Sequence, residues 1–188
     1  MSDTFRARFF WVVVFAALAT LSHGSYGEAK EVALPSGWLL AIDPPAGWRV
    51  EEQSNSLATT LHLFADPESK HPTLQITAFS LPPSREERPT EELKRVVEQQ
   101  GRDLLATATQ PNIEVKPIPL QRGAAYYYHL TDREPERGPG DFKELHQGFG
   151  EISRHAIAFT VLTHPGEAKL VENALDSIAS ITITRKSK

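Results

Sequence analysis

The chain contains no cysteine among its 188 residues. A domain without cysteine has no disulfide, and any metal site in it depends on histidine and carboxylate ligands. It also has no thiol that could carry a lipid, so we expect no stable membrane anchor once a signal segment is removed. The absence of cysteine therefore favours a free protein over a tethered lipoprotein.

A basic excess and catalytic motifs are absent as well. The formal net charge is −4, whereas a nucleic-acid-binding face is clustered and basic. The sequence contains no G-x-S-x-G elbow, no Walker loop and no G-x-G-x-x-G turn. We therefore expect a protein that is not an enzyme, binds no nucleic acid and carries no cofactor.

The N-terminal residues have the three parts of a secretory signal. Two arginines precede an uncharged, mostly apolar run, Phe9–Leu21, and small and polar residues follow it up to Ala29. The run is shorter than the roughly 20 apolar residues that cross a bilayer. We therefore expect residues 1–29 to be a cleaved signal peptide and residues 30–188 to be one domain, periplasmic or secreted.

The pattern of apolar residues predicts strands and two helices. Strands are predicted at Trp38–Ile42, Trp48–Glu52, Leu57–Ala65, Leu74–Leu81, Ile113–Leu120, Ala124–Thr131, Lys143–Ile152, His155–Thr163 and Ser180–Thr184. Apolar stripes at helical spacing predict one amphipathic helix over 91–107 and another after Pro165. Connections of hairpin length indicate an α+β fold, in which a mainly antiparallel sheet is covered by two helices in a layered α/β/α sandwich.

The order of these strands and helices, with several short sequence segments, resembles the PsbP/Mog-type superfamily, in particular its exported bacterial, DcrB-like members. The resemblance is carried by Pro45-Ala-Gly-Trp48, the helix at 91–107, the Gly123 turn into Tyr126–Leu130, Phe159-Thr160 and a C-terminal helix ending at Ser177–Ser180. It spans roughly residues 34–184. The resemblance implies an antiparallel sheet with helices on its faces and a non-enzymatic accessory protein that binds a protein partner. It supplies no catalytic residues.

Histidine is the residue type that raises a metal hypothesis. Six of the seven histidines follow residue 29, without HxH or HxxxH spacing. His129 and His146 lie on strands joined by the loop at 132–142, so they can approach each other across a hairpin, and with Glu144 they could hold zinc or copper. The alternative is that they are ordinary half-buried histidines of the sheet. Because no spacing requires a metal, the sequence favours the alternative, and we assign no metal ligand from it.

Three consecutive tyrosines give the candidate binding surface. Alternation along a strand places Tyr126 and Tyr128 on one face and Tyr127 with His129 on the other. Aromatic side chains on the less covered face of a sheet are typical of interfaces. We therefore predict that Tyr127 and His129 belong to a surface for an unidentified protein partner. The alternative, which a layered fold favours, is that helices or loops cover both faces of this strand. The alternative function is a periplasmic protein that binds a small ligand or a metal.

Overall fold

Ten strands and two helices make up the part of the chain that the computed structural model describes, residues 28–35, 37–82, 88–136, 138 and 140–186. The strands are β1 (Lys30–Ala33), β2 (Trp38–Ile42), β3 (Arg49–Ser54), β4 (Ala58–Phe64), β5 (Leu74–Ser80), β6 (Lys116–Ile118), β7 (Ala124–Thr131), β8 (Glu144–Ile152), β9 (His155–Thr163) and β10 (Thr182–Arg185). The helices are α1 (Thr90–Arg102) and α2 (Ala168–Ala179). The expected signal peptide lies outside the described residues, except for its last two positions.

The strands form two sheets in which every pairing is antiparallel. The larger sheet has the order β3-β4-β5-β9-β8-β7-β6, and the smaller has the order β1-β2-β10. The predicted α+β fold with a mainly antiparallel sheet is confirmed. The separate small sheet was not predicted, because β1 has only four residues and β10 joins β2 over a long stretch of sequence.

The two faces of the larger sheet pack on different elements. On one face Tyr128 and Leu130 of β7 pack with Val97 of α1. On the other face Ile157 and Val161 of β9 share a core with residues of the small sheet and of α2. The larger sheet is therefore the middle layer, with α1 on one side and α2 and the small sheet on the other.

Helix α1 is shorter than the sequence predicts. It ends at Arg102, and a single 3₁₀ turn, Leu105–Thr107, occupies the rest of the predicted range. Gly101 weakens the last turn of the helix, since glycine is a poor helix former. Its missing side chain also lets α1 approach the sheet, because a Cβ there would lie 2.9 Å from Cδ1 of Ile113 and 3.1 Å from Cδ1 of Tyr128.

Strand β6 covers only the middle of its predicted range, Ile113–Leu120. It pairs with β7 alone and is the last strand of the sheet, as its prolines predicted. Pro117 has no N–H group to donate, and Pro119 follows the last strand residue, so the ladder is short. The predicted turn at Ser153-Arg154 is confirmed, since both residues have positive φ values, 47° and 63°.

Gly123 provides a test of the turn that leads into β7. Its φ is +83°, and a Cβ there would lie 2.0 Å from the carbonyl oxygen of Glu151. We expect Gly123→Ala to lower the free energy of unfolding in urea by roughly 2–4 kcal/mol, because left-handed strain and a backbone clash act together. Gly47→Ala is the matched control, since Gly47 has φ +82° and no atom within 4 Å. Equal losses in the two variants would show that the close approach to Glu151 is unimportant.

Candidate metal centre

Strand pairing brings three separated residues to one place on the larger sheet. His129 of β7 lies directly opposite His146 of β8, and Glu144 lies two residues before His146 on the same strand. Residues two apart on a strand point to the same face of a sheet. His129, Glu144 and His146 therefore share the face that packs toward α2, and we refer to them as the histidine cluster.

The donor atoms of the histidine cluster converge. The two imidazole rings are stacked, with centroids 4.4 Å apart and an interplanar angle of 17°. One ligand atom from each of the three residues lies within 4.8 Å of the other two. Ligands about 2.1 Å from one tetrahedral ion are about 3.4 Å apart. The lone pairs of the two stacked imidazoles lie in nearly parallel planes, so the rings would have to turn out of the stack for a nitrogen of each to face one ion. The residues fit a metal ion on that condition.

Several polar atoms at this place are buried without a hydrogen-bond partner. They are Nε2 of His129, both ring nitrogens of His146 and Oγ1 of Thr163. His146 is 8% exposed and Thr163 is fully buried. Thr163 of β9 pairs with Glu144, so its hydroxyl belongs to the same end of the same face. Buried polar groups are satisfied in most proteins, and each unsatisfied one costs about 1–3 kcal/mol. The cluster is therefore a costly arrangement in the absence of a ligand.

Burial also determines the charge state of the two imidazoles. Burial, with smaller contributions from the neighbouring His129 and Lys116, lowers the pKa of His146 to about 4. Burial lowers the pKa of His129 as well; Glu144 opposes that shift and Lys116 adds to it. Both rings are consequently neutral at pH 7. A neutral imidazole has a free lone pair, which is the form that binds a metal.

The strand ends around the cluster are fixed by backbone hydrogen bonds. The N–H of Asp132 donates to the carbonyl of Lys143 over 2.8 Å, and the N–H of Lys143 donates to the carbonyl of Thr163 over 3.1 Å. Helix α2 contacts both β9 and β6, which lie on either side of β8 and β7, so it crosses the strands that carry the cluster. The ring of Tyr127 lies 6.2 Å from that of His146. The donors are thus held on rigid elements rather than on a loop.

The histidines outside the cluster have other neighbours. His155 packs against Trp38 with ring centroids 5.1 Å apart, and His71 and His164 each contact the ring of Phe142. His62 is half-buried on β4 and has a hydrogen bond with Gln75. Within the described residues, the histidine cluster is the one group of three or more metal-type ligands.

The predicted binding-surface residues lie where alternation placed them. Tyr127 and His129 share a face, and Tyr128 is fully buried on the opposite one. Tyr127 is half-buried and packs against the main core. Both faces of β7 are therefore covered, and a role of these two residues in partner binding stays a prediction.

Two residues near the cluster were not identified from the sequence. The β8–β9 pairing brings Thr163 to the histidine cluster, and the β6–β7 pairing brings Lys116 there. Neither register can be read from a single strand. His129 and His146 were accessible because one hairpin joins them. Alternation along β9 was the one available signal for Thr163, since it places that residue on the face of Val161.

The comparisons with known proteins give no family for the chain. No family model matches it, and no curated protein does. Among solved structures, cyanobacterial PsbP (CyanoP) from Synechocystis sp. PCC 6803 is similar with a TM-score of 0.48 and 10% sequence identity, over 88% of this chain and 98% of that chain. A TM-score and identity this low assign neither a family nor a function. In the described part of the chain, neither helix has the length and apolar character needed to cross a membrane.

The unsatisfied nitrogens of His146 predict a stabilising substitution. In chelator-treated protein we expect His146→Leu to raise the free energy of unfolding by about 1–2 kcal/mol, because it removes two buried polar atoms and keeps an apolar side chain in their place. His62→Leu is the matched control and should be destabilising, since it leaves the partner amide of Gln75 unpaired. If His146→Leu destabilises the protein as much as His62→Leu does, the cluster carries no such cost.

Wild type and His146→Leu should also differ in how their free energy of unfolding depends on pH. Below pH 6.5 the unfolded chain protonates His146 before the folded protein does, because the folded pKa is about 4. The stability that the neutral ring contributes is therefore present above pH 6.5 and is lost as the pH falls toward 4. Urea unfolding of metal-free protein should show a steeper loss over this window in the wild type than in His146→Leu.

Proposed function

We propose that the chain binds a divalent transition-metal ion, zinc or copper, through His129, Glu144 and His146. The observation that carries the proposal is the convergence of three donor atoms within 4.8 Å where imidazole nitrogens are buried without hydrogen-bond partners. Two imidazoles and one carboxylate suit zinc and copper, whereas calcium and magnesium prefer oxygen donors only. The donors lie on adjacent strands in fixed register, which supports binding without a large rearrangement.

Metal-dependent stability tests the proposal. A ligand bound by the folded state alone raises the free energy of unfolding, by about 2.7 kcal/mol when free metal is 100 times the dissociation constant. We expect zinc or copper added to chelator-treated protein to raise the melting temperature, and we expect His129→Gln and Glu144→Gln to abolish most of the increase. His62→Gln is the control, because it removes a half-buried histidine of the same sheet outside the cluster.

Two results would contradict the proposal. One is the absence of any shift with either metal at saturating concentration. The other is a shift of the same size in wild type and Glu144→Gln, which would place the bound metal elsewhere. Direct titration calorimetry of the same proteins would give the number of sites, expected to be one per chain.

The setting that we propose for this site is an exported, non-enzymatic protein that is periplasmic or secreted. The signal-like pattern of residues 1–29 and the absence of catalytic motifs support it.

An accessory role with a protein partner is the second candidate, supported by the resemblance of the sequence pattern to the PsbP/Mog-type superfamily. Crosslinking of a tagged copy in its host tests this role, and recovery of the protein without a reproducible partner would argue against it.

A further inference from the structure

We propose that a metal ion held by the histidine cluster binds a small carboxylate anion as its remaining ligand, between the ion and the ammonium group of Lys116. This inference rests on the proposed function, since it requires a bound metal. It names a class of ligand, carboxylates of low molecular mass. It also gives a role to Lys116, which is not needed to bind the metal. The inference follows from donor number, residue placement and charge.

The number of protein donors leaves a position open. The cluster offers three ligands, one from each of its residues. Closed structural zinc sites have four protein ligands, whereas sites with three keep the fourth position for water or a substrate. Thr163 lies next to Glu144 but offers a neutral hydroxyl, which is a weak ligand for these metals. The ion would therefore hold an exchangeable ligand.

The hydroxyl of Thr163 provides a hydrogen-bond donor for that ligand. Its Oγ1 is buried and has no hydrogen-bond partner, and pairing with Glu144 places it at the end of the face where the cluster lies. A hydroxyl donates one hydrogen bond and is well suited to a carboxylate oxygen. A buried donor without a partner is thus explained by an oxygen ligand beside it.

Lys116 enters the site from the edge of the sheet. It lies on β6, the last strand, directly opposite Tyr127, and His129 is the next residue of β7 on that face. Lys116 is therefore a diagonal neighbour of His129 across the β6–β7 pairing, and its positive charge lowers the pKa of both His129 and His146. The side chain is 49% exposed. Among the strands that the structure describes, β6 is the last of the larger sheet.

The charges around the site favour an anion. A divalent ion and Lys116 together carry three positive charges. The carboxylates that face them are Glu144 in the cluster and Glu114, whose Oε2 lies 3.6 Å from Nζ of Lys116. One positive charge is left over, and Glu114 is largely exposed, so water screens its contribution. A singly charged carboxylate would neutralise the site.

Acetate is the probe, and metal-loaded protein is the object of the experiment. Cobalt(II) replaces zinc so that the visible spectrum of the ion reports a change of its ligands. We expect acetate to change the spectrum of the wild type saturably, and we expect Lys116→Gln to weaken acetate binding by about two- to fivefold, the effect of losing one partly exposed ion pair. Thr163→Val should weaken acetate as well and leave the metal affinity unchanged.

Control measurements separate the two proposals. Lys169→Gln removes an exposed lysine on α2 that is paired with Glu172, and it should bind acetate like the wild type. Lys116→Gln should bind the metal at least as tightly as the wild type, because a nearby positive charge is removed. If no metal binds, the proposed function fails. If metal binds but acetate does not, or binds equally to wild type and Lys116→Gln, the carboxylate proposal alone fails.

Discussion

The register between β7 and β8 is the constraint on which the candidate site depends. A shift of one residue would turn every side chain of a strand to the other face of the sheet. The register is held by the opposite face, where Tyr128, Leu130 and Leu145 pack with Val97 of α1 in one buried cluster. His129 and His146 are thus positioned by neighbours that take no part in metal chemistry. Apolar burial on one face of the sheet thus determines which polar groups meet on the other.

The site is also where the fold departs from ordinary sheet composition. The residue opposite His146 on β9 is Val161, and apolar side chains continue along that row through Leu74 of β5. An apolar residue at position 146 would extend the core to the edge of the sheet. Two imidazoles occupy that place instead, together with a carboxylate, and folding leaves Nε2 of His129 and both ring nitrogens of His146 without a hydrogen-bond partner. Local departures of this kind are concentrated at functional sites, where a ligand supplies what the fold does not.

The sequence predicted most of the architecture because strand alternation and helix periodicity are local signals. The hairpin from β8 to β9, the edge position of β6 and the shared face of Tyr127 and His129 are all confirmed. The small sheet was not accessible, since β10 reaches β2 from the far end of the chain. The hairpin indicated that His129 and His146 can approach each other, while the residue spacing favoured ordinary half-buried histidines over a metal site. The burial of ring nitrogens without hydrogen-bond partners, on which the metal proposal depends, is a property of the packed structure and not of residue spacing.

The two prolines of β6 have a consequence for how copies of this protein behave in concentrated solution. An exposed sheet edge is a template on which another chain can add a strand, the first step of many aggregation processes. Pro117 lies within this strand of three residues and Pro119 directly follows it. Neither has a backbone N–H group that could donate a hydrogen bond. A short edge strand interrupted by proline is a poor template for a further strand. The edge next to β7, the strand that carries His129, therefore offers little backbone for self-association between copies of the chain.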